Sequence, residues 1–154
     1  MPLARQALHD SGEDIHVAVW PTVHDRHHLA SRQYAFEGRC FVLAAGSVMR
    51  ASSLPPELEV EPSRVPDDSA LVMRGGSAII GPDGEYVVPP LWDRPGVLTA
   101  EVDLERVRRE SMTLDVSGHY SRPDCLSLSV QRTGRVVADA RRAAPARTPN
   151  EVPA

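Results

Sequence analysis

Two short apolar runs, Ile15-His16-Val17-Ala18-Val19-Trp20 and Cys40-Phe41-Val42-Leu43-Ala44-Ala45, lie on either side of a helix-length segment. Runs of this length with so few polar positions read as strands buried on both faces, the habit of parallel sheets. Parallel neighbours need a crossover of roughly a dozen residues or more, usually a helix. His24 to Gly38 fits that crossover, with Leu29, Tyr34 and Ala30 expected to face inward and Gly38 near its end. Upstream, Pro2 to Ser11 reads as another helix: Pro2 suits a first turn, Leu3, Ala7 and Leu8 form an apolar stripe, and Gly12 suits the C-cap. Helix, strand, helix, strand with short links defines a layered α/β unit.

The remainder is less regular. Residues 52–68 carry Pro55, Pro56, Pro62 and Pro66 among Glu, Asp and Ser, which predicts a surface loop. Gly75 to Gly81 and Tyr86-Val87-Val88 flank Pro82-Asp83-Gly84-Glu85, and Asp-Gly between two β-rich runs predicts a hairpin. Val97 to Val102 reads as a further strand, and Leu104 to Arg109 as a short surface helix. From Gln131 on, Arg, Ala and Pro dominate, so residues 1–130 are expected to form one domain and 131–154 a disordered tail.

Composition excludes several classes of function. All 17 basic residues are Arg. Mechanisms that need a lysine ammonium, such as a Schiff base or a phosphate-loop lysine, therefore cannot be completed within this chain. A net charge of −4 argues against nucleic-acid binding. No apolar run reaches the roughly 20 residues needed to cross a bilayer, and the first residues make no secretory signal. Two cysteines, Cys40 and Cys125, are too few for a disulfide framework, so a cytoplasmic protein is expected.

Few side chains suggest chemistry on their own. His24, His27 and His28 share a helix face, but bare histidine spacing without a third ligand reads as a solvated helix start rather than a metal site. Cys40 opens an apolar strand and reads as a small core residue; Cys125 has no better claim as a nucleophile. Gly75-Gly76-Ser77 is explained by close strand approach as well as by an anion nest. Trp20-Pro21 ends a strand where α/β sheets commonly bind ligands, although an aromatic core plug fits equally. Glu37, late in the second helix, is either solvated or buried and hydrogen-bonded near a site. Gly118-His119-Tyr120-Ser121-Arg122-Pro123-Asp124 is a polar segment of the kind that lines a site or fixes an interface.

Ile15 to Pro21, Ser31 to Val42, Gly75 to Gly84 and Gly118 to Asp124 together resemble, in order, the nitrilase branch of the carbon–nitrogen hydrolases. The resemblance covers about residues 1–130. It implies an α-β-β-α sandwich that dimerises and hydrolyses nitriles to carboxylic acids and ammonia through a Cys nucleophile, a Glu base and a Lys, without a cofactor. It also implies that this chain matches the C-terminal half alone, since the Cys-Trp-Glu segment of the family lies just ahead of the helix that Pro2 to His9 matches. Cys40 matches a position that is not the nucleophile. By the same resemblance Trp20 and Pro21 form a pocket wall, Glu37 is a buried carboxylate beside the site, and His119 lies near the site and its subunit contact. Two readings follow: a nitrilase portion inactive alone, or a non-catalytic module that associates with full-length nitrilase subunits. Either way, the chain is expected to expose apolar faces and a sheet edge and to be poorly soluble or oligomeric.

Overall fold

The computed structural model describes residues 1–130 except 22, 56, 59–66 and 68. The expected tail from Gln131 and most of the proline-rich loop lie outside the described residues. Chain order is α1 (Pro2–His9), β1 (Ile15–Trp20), α2 (Asp25–Gly38), β2 (Phe41–Gly46), β3 (Val48–Arg50), β4 (Leu71–Ile80), β5 (Tyr86–Trp92) and α3 (Glu105–Ser111), with a 3-10 turn at Ala51–Ser53. The five strands form one sheet. β1 pairs β2 in parallel from Ile15 opposite Phe41 to Trp20 opposite Gly46, with α2 as the crossover. β4 runs antiparallel to both β2 and β3, and β5 lies along its other side. This mixed α/β sheet, with helix on one face, is consistent with one side of an α-β-β-α sandwich.

The hairpin forms where Asp83-Gly84 predicts it: Gly81 donates to the Glu85 carbonyl at 2.8 Å and Gly84 to the Gly81 carbonyl at 2.8 Å. Just upstream, Gly75 and Gly76 both take positive φ, 83° and 87°. A Cβ on Gly76 would stand 2.4 Å from the Trp92 ring, so the glycine is what allows β5 to close on β4.

The core lies between α2 and the sheet. Tyr34 and Ala35 pack on Cys40, Val42 and Ile80, with Ala18 and Tyr86 at the margin. Here the inward face of α2 departs from expectation. His28, Ser31, Tyr34 and Ala35 are buried, whereas Ala30 is exposed and Leu29 is 70% exposed. The helix places a polar-edged stripe on the sheet and turns its leucine outward. Gly38 ends the helix, as expected, and the left-handed cap follows at Arg39 (φ 49°). Gly38 admits the His9 ring, which would stand 2.3 Å from a Cβ there.

Three further expectations are corrected. β1 is not buried on both faces: Ile15, Val17 (59%) and Val19 (76%) are exposed, while the alternate residues His16, Ala18 and Trp20 are half-buried. In α1 the buried residue is His9, while Leu3 and Leu8 are exposed; the helix ends with Asp10 as its cap, and Gly12 takes its positive φ two residues later. Val97 to Val102 forms no strand. Gly96, Leu98, Thr99 and Ala100 line a cleft with Val17, Leu43 and Ile79, so this β-rich stretch passes over a sheet face without pairing at an edge.

Candidate functional site

The densest group of titratable side chains lies where β1 begins. α1 supplies Arg5 and His9, the turn after it Glu13, β1 supplies His16, and α2 supplies Tyr34 and Glu37. The Tyr34 hydroxyl donates to Glu13 Oε1, and His16 Nδ1 stands 3.0 Å from Glu13 Oε2. The His16 ring stacks on Tyr34 at 4.0 Å, and His9 tilts against the same ring at 4.5 Å. One carboxylate thus organises two aromatic groups.

His9 is the most enclosed member. Its side chain is 2% exposed, and neither ring nitrogen has a hydrogen-bond partner. Nδ1 is 3.9 Å from Glu13 and Nε2 is 3.9 Å from Glu37. Burial holds the imidazole below its usual 6.5, with Glu37 and then Glu13 opposing that shift and Arg5 and His16 reinforcing it. Burial likewise raises the Tyr34 phenol, assisted by Glu13. Arg5 Nε lies 2.6 Å from Glu37 Oε2, yet that oxygen has no formed hydrogen bond, so the contact is an ion pair with poor N–H alignment.

Above His9 and Glu37 a cleft of about 520 Å³ opens between α1 and residues 116–128. Leu3, Val116, Leu126 and Leu128 give it apolar walls, and Tyr120, Ser121 and Arg122 of the polar segment complete its rim.

Of the residues singled out in the sequence, Glu37 belongs to this cluster. Trp20 and Pro21 stand at the other end of β1, roughly 17 Å away at 3.3 Å per residue. The Trp20 indole donates to Ser31 Oγ at 3.2 Å and tilts against His27 at 4.7 Å; Pro21 is exposed. His119 is exposed beside Tyr120 and is not among the residues lining the cleft. These four side chains therefore do not converge in this chain.

His24, His27 and His28 also separate. His24 N–H donates to His27 Nδ1 at 3.0 Å, while His28 turns inward between Tyr86 and Trp92. Among the described residues no three His, Cys, Asp or Glu side chains gather as a metal site. Both cysteines are free. Cys40 is fully buried, and burial pushes its thiol up to about 12, which keeps it protonated at neutral pH. Exposed Cys125 receives an Arg122 N–H at 3.1 Å.

Sequence reading missed His9, Glu13 and Arg39. The first two are spaced as ordinary helix-end and turn residues, and only the fold brings them to Tyr34. Arg39 is buried, donates to the Pro82 carbonyl at 3.1 Å and the Leu114 carbonyl at 3.2 Å, and lies over Phe36 at 4.2 Å. Its left-handed backbone, unusual for a non-glycine residue, leaves no mark in the sequence.

A parallel βαβ unit extended by an antiparallel hairpin, with helix on one face, marks a layered α/β fold. The carbon–nitrogen hydrolase family model matches residues 1–110, and the chain belongs to that family. It is 38% identical over 134 residues to an arylacetonitrilase of Trametes versicolor, covering 85% of this chain and 41% of that protein. An aliphatic nitrilase of Sinorhizobium fredii is 38% identical over 132 residues, covering 84% and 42%. A bifunctional nitrilase/nitrile hydratase of Nicotiana tabacum is 35% identical over 133 residues, covering 85% and 38%. The chain spans about two-fifths of the length of these curated relatives.

Proposed function

We propose that this chain is the C-terminal portion of a nitrile-hydrolysing enzyme and lacks turnover by itself. Supporting this are the likeness to nitrilases, a chain without lysine, and the enclosure of Cys40 with its thiol raised to about 12. The reaction of the whole enzyme would begin with thiolate attack on the nitrile carbon to give a thioimidate. Water would then add, ammonia would leave as the nitrogen is protonated, and a second water would release the carboxylic acid from the acyl-enzyme. In that enzyme Trp20 and Pro21 would wall the substrate pocket, Glu37 would hold α1 in place through Arg5, and His119 would lie near the site and its subunit contact. The two free thiols support a reducing, cytoplasmic setting.

The observation that carries the proposal is the enclosed Cys40. Purified chain, incubated with mixed aliphatic and aromatic nitriles, is expected to release no ammonia, and neither is the Cys40→Ala, Cys125→Ala double variant. Turnover that disappears in the double variant would make one of these cysteines the nucleophile and overturn the reading.

The second reading is a non-catalytic module that binds full-length nitrilase subunits or further copies of itself. It is favoured by the apolar face of Ile15, Val17 and Val19. Co-elution with a full-length nitrilase on size exclusion, with no change in the nitrilase's specific activity, would select it.

A further inference from the structure

We propose that residues 126–130 of one copy of this chain add as an antiparallel strand to the free edge of β1 in a second copy. Leu126-Ser127-Leu128-Ser129-Val130 alternates apolar with small polar side chains, the pattern of a strand with one face on a core. Yet these residues belong to no strand, and Leu126, Leu128 and Val130 are all exposed. Among the described residues, the N–H groups of Leu128 and Val130 donate to no backbone carbonyl. A turn closed by the Leu126 N–H on the Arg122 carbonyl, at 2.8 Å, precedes them, so the arm can swing without unpairing a strand.

β1 is the matching surface. It ends the sheet, and the Phe41 N–H bond to the Asp14 carbonyl fixes which of its groups are left over. The N–H and C=O of Ile15, Val17 and Val19 point away from β2. With Leu128 set opposite Val17, Val130 falls opposite Ile15 and Leu126 opposite Val19. The pairs at Val17 and Ile15 then exchange both backbone hydrogen bonds, and three apolar pairs line one face. The serines fall opposite His16 and Ala18 on the other face. Charge selects direction and occupant. The antiparallel register carries Arg132 to Glu13 and the exposed Asp14, which precede β1; a parallel arm would carry it to Pro21. Pairing β1 with β1 of another copy would set Asp14 against Trp20 and leave the acidic pair without a cation. The inference deepens the second reading above, and rests on its self-association.

The test is size exclusion with light scattering on the full chain across a dilution series, where a concentration-dependent dimer is expected. Leu128→Pro removes a pairing N–H from an exposed segment and should weaken the dimer roughly tenfold or more, with the circular dichroism spectrum retained. Arg132→Glu should weaken it roughly threefold. Hydrogen-bonded antiparallel partners sit about 5.5 Å apart at Cα, within reach of a disulfide. Oxidised chain carrying Val17→Cys and Leu128→Cys, in a Cys125→Ser background, should therefore form dimers linked from position 17 of one copy to position 128 of the other. A 17-to-128 link within one chain, a 17-to-17 link, or a monomeric wild type would overturn the proposal. Association that persists unweakened in Leu128→Pro would overturn it too, while leaving the second reading standing.

Discussion

His9 carries a proton-linked energetic signature. Burial depresses its pKa in the folded chain, and it faces Arg5, Glu13, His16 and Glu37. Below about pH 6.5 the unfolded chain takes up this proton more readily than the folded one, so stability falls as pH drops toward the folded value and is unaffected well above it. His28, buried beside Tyr86 and Trp92, acts in the same direction. Urea midpoints are expected to decline between pH 7.5 and 5.5, and His9→Gln should flatten part of that slope; an unchanged slope would remove His9 from the account. At Gly76 the constraint is steric. Gly76→Ala forces a side chain into positive φ and against Trp92, and is expected to cost about 2 kcal/mol or more, read as a lower urea midpoint.

At the scale of elements, the α2–sheet contact carries the core, and Ile80 is one of its fully enclosed members with Ala35, Cys40 and Val42. Ile80→Ala should cost about 2–5 kcal/mol by chemical denaturation. Element identity was legible where local chemistry decides it. Two apolar runs around a helix-length spacer gave the parallel pair, and Asp83-Gly84 gave the turn. Orientation was less legible. Nothing local tells α2 to bury Ser31 and expose Leu29, since that choice depends on which neighbours exist across the helix. Val97 to Val102 has strand composition, but pairing needs a free edge within reach, and its path leads across a face. The site was legible at Glu37, at the inward Tyr34 and in the polar segment that supplies Tyr120, Ser121 and Arg122; His9, Glu13 and Arg39 owe their roles to contacts formed between distant segments.

For the whole molecule, the decisive property is a sheet that the described residues cover with helix on one side. Helix α2 packs one face, while the opposite face shows Ile15, Val17 and Val19 and, among the described residues, borders a cleft lined by the 96–100 stretch. An apolar surface next to an edge strand free of charged residues favours association. The chain is expected to elute as oligomers whose proportion rises with concentration. Val17→Lys with Val19→Lys should shift elution toward monomer with little change in secondary structure, because both side chains already face solvent. A monomeric wild-type profile would sink this expectation.

β1 also divides its own amides into two populations. Phe41 donates to the Asp14 carbonyl, so the parallel register turns the backbone groups of His16, Ala18 and Trp20 toward β2 and those of Ile15, Val17 and Val19 away from it. In heavy water, the outward amides should exchange quickly while their immediate neighbours remain protected, giving one six-residue strand an alternating labelling pattern. A partner that pairs with that edge would erase the alternation, so deuterium uptake at three residues can report when the strand has gained a neighbour.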